Sequence, residues 1–360
     1  KKGVPLRHMT KNSTITFESL QLIQPIQKAL TSEGYTHPTP IQAQAIPLIL
    51  DKRDLFGIAQ TGTGKTAAFT IPILQMLASH THAEKGRKPI KCLILTPTRE
   101  LASQIGESIA NYGKHLKSNH TVIFGGVNQF SQVNAIRAGV EILIATPGRL
   151  LDLINQRIVI LKDVQYLVLD EADRMLDMGF INDVKKIIAT LPQKRQTLLF
   201  SATFPREVES IARNYMTKPV EITSGQKNQG SDNVSHEYYS VTERTRYPAL
   251  KRIADLNPNI YAIIFCRTRR ETQEVADNLI KDGYSADSLH GDLSQAQRDS
   301  VMGKFRKKTI QILVATDVAA RGLDVSELTH VINHKLPDQI ENYTHRSGRT
   351  GRAGKSGVSM

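Results

Sequence analysis

The stretch DLFGIAQTGTGKT occupies residues 54–66, and the helix-favouring run AAFTIPILQML follows it. DLFGIA (54–59) is short, continuous and apolar, the pattern of a strand buried on both faces. From Ala59 onward, Ala59-Gln60-Thr61-Gly62-Thr63-Gly64-Lys65-Thr66 matches GxxxxGK[ST] except at its first position, where Ala59 replaces glycine. Glycines allow backbone angles that bring N–H groups against phosphate oxygens. The helix that follows presents its positive end to the same anion. Lys65 supplies a charge to the β- and γ-phosphates, and Thr66 offers a hydroxyl to Mg²⁺. Strand, glycine-rich turn and helix in this order predict an α/β domain that binds a nucleoside triphosphate.

Working outward, further apolar runs alternate with helix-length segments: IKCLILT (90–96), TVIF (121–124), EILIAT (141–146), YLVLD (166–170) and TLLFS (197–201). A second series comprises HEYYSV (236–241), YAIIFC (261–266), YSADSLH (284–290), QILVAT (311–316) and HVINH (330–334). Strand–helix alternation implies parallel sheets flanked by helices. Between the series lies SGQKNQGSDN (224–233), polar and without periodicity, which reads as a linker. The expected division is a first domain at 10–223, the linker at 224–233 and a second domain at 234–360. Residues 1–9, KKGVPLRHM, read as a leader foreign to the native start.

A triphosphate with Mg²⁺ needs an acidic partner at a neighbouring strand end. YLVLD delivers Asp170 there, with Glu171 next in the chain. Asp170 suits the Mg²⁺ shell, and Glu171 suits the orienting of an attacking water.

Composition narrows the class. Lys+Arg exceed Asp+Glu by 13, and discounting Lys1, Lys2 and Arg7 leaves +10 of that +13. Such an excess attracts phosphate polyanions. No apolar run approaches the ~20 residues of a membrane-spanning helix. Two cysteines, Cys92 and Cys266, are too few for a disulfide framework or a four-ligand zinc site. Both lie in apolar runs and read as buried, reduced thiols of a cytoplasmic protein.

Asp-Glu-Ala-Asp at 170–173 resembles the signature of the DEAD-box ATP-dependent RNA helicases, and other motifs follow in that family's order. GYTHPTPIQ (34–42) resembles its Q motif, with Phe17 upstream. PTREL (97–101), Gly125-Gly126, TPGR (146–149) and SAT (201–203) come next. The second half carries IFCRT (264–268), QAQR (295–298), ATDVAARGLD (315–324) and HRSGRTGR (345–352). The flavour is similar to the bacterial RNA helicase E subgroup. Two departures stand out: Ser347 where many relatives carry isoleucine, and a chain ending at Met360, where relatives continue with a strand and a helix.

The resemblance implies two tandem RecA-like domains and RNA-stimulated ATP hydrolysis, with domain closure that bends one RNA strand and opens a short duplex. It assigns adenine to Gln42, with Tyr35 and Phe17 as aromatic neighbours, and the ribose to Asp324. It places Arg349 and Arg352 at the γ-phosphate. The sequence agrees, since only the first half holds a phosphate loop while the second ends in Arg346, Arg349 and Arg352 with no acid after Glu341. Arg346 is expected either in that set or paired with an acid such as Asp324. Ser201 and Thr203 are expected to link the sites by bonding Asp173 and His345. RNA contacts are expected from Thr98, Arg99, Gly126, Thr146 and Arg149 in the first half, and from Arg267, Thr316 and Gly322 in the second. Hydroxyls, arginines and backbone N–H groups hold phosphate and 2′-OH without reading bases, so binding is expected to be sequence-independent, by a core acting as a monomer. The competing readings are an ATP-gated RNA clamp and a DNA-dependent helicase.

Overall fold

The computed structural model describes residues 15–59, 62–79, 88–224, 233–320, 325, 328–338, 340–351 and 356–360; the side chains of residues 341 and 345 lie outside that description. The expected linker falls almost wholly outside it.

The first sheet has seven strands: β1 (Leu55–Ala59), β2 (Cys92–Leu95), β3 (His120–Ile123), β4 (Ile142–Ala145), β5 (Tyr166–Leu169), β6 (Gln196–Ser201) and β7 (Val220–Ser224). Their spatial order is β3-β4-β2-β5-β6-β1-β7, and every pairing is parallel. The central strands are buried along their whole length. Successive side chains point to opposite faces, so one strand feeds two cores. Ile94, Val168, Leu198 and Phe200 pack on one face with Phe69, whereas Leu93, Leu95, Leu167 and Leu199 pack on the other with Phe56. Two covered faces are the reason the strands read as unbroken apolar runs.

The second sheet has six strands: β8 (Val234–His236), β9 (Ala262–Cys266), β10 (Ala286–Leu289), β11 (Ile312–Thr316), β12 (His330–Asn333) and β13 (Gly357–Ser359). Their order is β10-β11-β9-β12-β13-β8, again all parallel. The strand expected at 236–241 is displaced: β8 ends at His236, and Tyr238 and Tyr239 beyond it are 91% and 55% exposed. β8 pairs on one side only, with β13, and stops where that partner stops. β7 and β13 were not anticipated; one alternates polar with apolar residues and the other is three residues long. β13 lies between β12 and β8, and just after it Met360 N–H donates to the Val331 carbonyl at 2.9 Å. Among the described residues no helix is long and apolar enough to cross a membrane.

β6 sits between β1 and β5. The turn after β6, which holds Ser201-Ala202-Thr203, therefore lies between the glycine-rich turn after β1 and the acidic turn after β5. All three are at strand carboxyl ends, where open α/β sheets bind ligands.

Candidate active site and nucleic-acid interface

The turn after β1 enters the helix Lys65–Ala78 through Gly62 and Gly64, at φ 86° and 91°. At Gly64 the left-handed backbone is one reason for glycine and space is the other, because a Cβ would overlap the Gln42 amide. Lys65 is buried and donates through Nζ to the Ala59 carbonyl at 2.9 Å, across the cradle a phosphate would fill. Thr66 opens the same helix, and Thr63 lies in the turn. Gln60 and Thr61 lie outside the described residues.

Gln42 is buried at the start of the helix Pro40–Leu50. Its Oε1 accepts from Thr39 N–H at 2.9 Å, and its Nε2 donates to the Gly64 carbonyl at 3.1 Å. A side-chain amide has two hydrogens and two lone pairs, so one of each remains for a base. Tyr35 is 44% exposed beside this region, while Phe17 is buried with its ring centroid 6.3 Å from that of Tyr35. Phe17 packs in the core cluster that holds Leu30 and Ile41, which makes it a support for Tyr35 rather than an open face.

Asp170 follows β5 and is buried; its Oδ1 accepts from Glu171 N–H at 3.0 Å. Glu171 adopts φ 53°, a left-handed conformation that costs a non-glycine residue roughly 1–2 kcal/mol. Local strain of this kind collects at functional sites. Burial, opposed by Lys65 and reinforced by the Glu171 carboxylate, raises the pKa of Asp170 from 3.8 to about 6. Burial also disfavours charge on Glu171, but the Arg174 guanidinium, then Lys65 and Arg349, outweigh it and hold that carboxyl at about 2. Arg174 Nη1 lies 2.8 Å from Glu171 Oε2, an ion pair buried on both sides.

A hard divalent cation fits this donor set. Burial and the neighbouring Glu171 carboxylate disfavour charge on Asp170 more than Lys65 favours it, which leaves room for further positive charge, and Asp170 with Thr66 offers the oxygen ligands that Mg²⁺ takes. When bound, Mg²⁺ would neutralise phosphate charge there.

The same imbalance predicts a stability effect. A folded-state pKa above the unfolded value favours folding below it and is lost as pH rises, here between about 3.8 and 6. Asp170→Asn is therefore expected to stabilise the nucleotide-free protein by on the order of 2 kcal/mol above pH 6, with the gain vanishing near pH 4. Urea denaturation midpoints of the two proteins across that range check it.

Between these turns, Asp173 N–H donates to Ser201 Oγ at 3.2 Å, while Thr203 donates to Asp173 Oδ2 from N–H at 2.8 Å and from Oγ1 at 2.9 Å. Ser201 thus meets Asp173 as acceptor from its backbone, with the carboxylate taken by Thr203. The His345 side chain, expected as the other partner, lies outside the described residues.

The second domain faces this site. Arg346, Arg349, Asp317 and Phe265 line a small cleft together with Arg174 of the first domain. Arg346 is paired with an acid, one of the two places expected for it. It makes a two-pronged ion pair with Asp317 (Nε–Oδ1 2.7 Å, Nη2–Oδ2 2.6 Å), and its guanidinium lies 4.9 Å over the Phe265 ring. Asp317 follows β11 directly, which brings its carboxylate under Arg346. Arg349 is buried and close enough to Glu171 to lower its pKa. Arg352, Asp324 and Gly322 lie outside the described residues.

A second cleft of about 580 Å³ crosses the seam. Thr98, Arg99, Gly126, Thr146 and Arg149 all line it, together with Arg298 of the second domain. Gly126 at φ 75° lies against the Arg99 guanidinium, leaving no room for a Cβ. Arg149 is held by Gln132 Oε1 at 3.1 Å and the Val127 carbonyl at 2.9 Å. Arg267 and Thr316 are not among the lining residues. Arg267 pairs with Asp338, and the Thr316 hydroxyl accepts from Ala319 N–H at 3.3 Å.

Bridges across the seam include Arg99 Nη1 to Gln295 Oε1 at 2.8 Å, and Arg298 Nη2 to Glu100 Oε1 at 3.4 Å. The QAQR stretch was legible as a motif, but its role in joining the domains was not. Arg174 was missed too, although it lies three residues from Glu171, a spacing that sets two side chains on one helix face.

Comparison with known proteins agrees with this geometry. The DEAD/DEAH box helicase family matches residues 39–211, and the helicase conserved C-terminal domain matches 245–354. The chain is 44% identical over 347 residues to the DEAD-box ATP-dependent RNA helicase CshA of Bacillus subtilis, covering 96% of this chain and 69% of that one. It is 44% identical to CshA of Bacillus cereus, covering 96% and 65%. The chain thus spans about two thirds of the length of these relatives, which bear the name CshA rather than that of the RNA helicase E subgroup. Among solved structures, Mss116p bound to ssRNA and AMP-PNP aligns with TM-score 0.85 at 32% identity, covering 98% of this chain and 75% of that one. A DEAD box protein from Methanococcus jannaschii, 42% identical, aligns with TM-score 0.56 over 96% and 92%. Phosphate loop, acidic turn and facing arginines thus sit in the two domains of one known architecture, and the chain belongs to the DEAD-box ATP-dependent RNA helicases.

Proposed function

We propose that the chain hydrolyses ATP at the seam between its domains and uses the resulting closure to bend RNA and separate short duplexes. The observation that carries this reading is that Arg349 approaches Glu171 from the opposite domain. A guanidinium there would meet the terminal phosphoryl group only while the domains are together. The TM-scores support the same view: the fit is better to an RNA- and AMP-PNP-bound structure of lower identity than to one of higher identity at similar coverage of this chain, so domain arrangement outweighs sequence in the match.

In this reading Gln42 binds adenine beside Tyr35, and Asp324 binds the ribose. Backbone N–H groups of residues 59–64, with Lys65, hold the phosphates. Thr66 and Asp170 hold Mg²⁺, partly through water. Glu171, fully ionised, orients the attacking water, and Arg174 fixes its carboxylate. Arg349 and Arg352 offset charge on the terminal phosphate. Asp173, Ser201, Thr203 and His345 couple the turns. Thr98, Arg99, Gly126, Thr146 and Arg149, joined by Arg267, Thr316 and Gly322, grip the RNA backbone. After phosphate leaves, the bridge between the domains weakens and the strand is released, a switch driven by contacts present in one state only. Both cysteines are buried and unpaired, which suits a reducing cytoplasm.

The test is the ATPase rate with RNA and with DNA of matched sequence at two salt concentrations. RNA is expected to raise the rate at least tenfold, with the RNA concentration needed rising steeply with salt. Equal stimulation by DNA would favour a DNA-dependent enzyme, and ATP-dependent RNA retention with no strand release would favour a clamp.

A further inference from the structure

We propose that RNA held in the 580 Å³ cleft continues into a larger crevice beside it, where Arg306 and Lys308 of the second domain hold its backbone. The crevice has a volume of about 760 Å³. It lies between the helix Arg99–Tyr112 of the first domain and the helix Gln295–Arg306 of the second. Arg99, Glu100, Gln295 and Arg298 line both spaces. The two therefore meet at the bridges across the seam, and a strand leaving one enters the other along a continuous surface. At 1.5 Å per residue, the helix carries the crevice about 17 Å from Gln295 at this junction to Arg306 at its far end.

The charge changes along this path. Near the junction the protein answers its own acids: Arg298 Nη2 lies 3.4 Å from Glu100 Oε1, and Asp299 Oδ1 accepts from Gln295 Nε2 at 2.9 Å. At the far end Arg306 and Lys308 line the wall, with Lys308 Nζ 5.6 Å from the centroid of the Tyr261 ring. They belong to the run KFRKK (304–308), whose four cations are exposed, and no acid occurs between Asp299 and Asp317. A solvated helix face ordinarily mixes its lysines with acids. The helix dipole favours Lys304 and Arg306 in the last turn, but Lys308 lies beyond the helix and still lines the crevice. The remaining acid among the lining residues is Glu107, exposed on the first domain's wall. Flexible exposed cations suit phosphate rather than base edges.

The crevice has a wall from each domain, so a strand lying in it ties the domains together beyond the contacts of the first cleft. Neither Arg306 nor Lys308 lies at the nucleotide. The gain is therefore in RNA affinity for longer strands, with turnover on short RNA unchanged. This inference rests on the RNA reading of the 580 Å³ cleft, and the two are tested separately by RNA length.

The experiment is equilibrium binding of oligouridylates of about 6 and about 14 nucleotides, within the ~4–16-nucleotide span of single-strand sites, to the full chain with AMP-PNP across a salt series. The longer oligomer should show the steeper salt dependence, since more phosphates are neutralised. Arg306→Gln and Lys308→Gln together should weaken the longer oligomer by about fivefold or more and flatten its log–log salt slope by about 1.4, at ~0.7 per phosphate. The shorter oligomer should stay within about twofold. Lys162→Gln and Lys186→Gln together remove the same charge from exposed positions of the first domain that line neither space, and should leave that slope unchanged. Glu107→Gln should tighten the longer oligomer, a gain that loss of folding cannot mimic. Failure of the shorter oligomer to bind overturns the RNA reading of the first cleft and this inference with it. Equal slopes for the two oligomers in the wild type, or equal weakening by the two double variants, overturns this inference alone. An unchanged slope in Arg306→Gln with Lys308→Gln does so too, and would leave those cations to an acidic protein surface.

Discussion

Replacing Glu171 with glutamine is expected to leave ATP binding within about threefold of wild type and to lower turnover by ~10²–10⁴-fold. The carboxylate is held ionised by three cations, with Arg174 at 2.8 Å. Glutamine keeps the shape and an oxygen for Arg174, but loses the negative charge that attracts a proton from water. Because the pKa of about 2 lies far below neutrality, the wild-type rate should show no acid limb from this group between pH 5 and 8. Equilibrium nucleotide binding and single-turnover hydrolysis separate the two effects, and a variant that hydrolyses at the wild-type rate removes Glu171 from the water-orienting role. A melt is needed beside them, since Arg174 is then buried without a full counter-charge.

Arg349→Ala is expected to slow hydrolysis by ~10³-fold or more while leaving RNA-free ATP binding largely intact, the cost of losing an arginine that acts on the terminal phosphate from another domain. The structure adds a second readout. Arg349 is one of the cations that depress the Glu171 carboxyl, so its removal should move that pKa upward. Arg349→Lys should recover little, because an ammonium does not reproduce the planar fork of donors. Unchanged turnover in Arg349→Ala would mean that the arginine only packs the seam.

The strands were legible where local chemistry and local pattern coincide. Lys65 follows the turn after β1, and Asp170 and Glu171 follow β5, strands whose burial on both faces makes the runs unmistakable. The order in which strands lie side by side is not local. That β6 separates β1 from β5, and so sets Thr203 against Asp173, follows only from the assembled sheet. Pairings across domains were equally hidden. Gln295 and Arg298 are about 200 positions from Arg99 and Glu100, and no periodicity links them. Arg346 was expected to pair with an acid if it did not join the arginine set, and only the path of the chain after β11 makes that acid Asp317. The strand expected at 236–241 shows the opposite failure: HEYYSV has strand-forming residues, but β13 is too short to pair with more than Val234–His236, and the tyrosines are left to solvent.

The central claim is that nucleotide and RNA together bring the two domains into the arrangement in which Arg349 reaches Glu171. Spin labels at Ala110→Cys and Lys307→Cys, both exposed and on opposite sides of the seam, report it without interference from the two buried native cysteines. Pulsed dipolar spectroscopy should give a broad, long distance distribution for the protein alone. With AMP-PNP and single-stranded RNA both present it should give one narrow, short distance. The same distribution under both conditions would contradict the account.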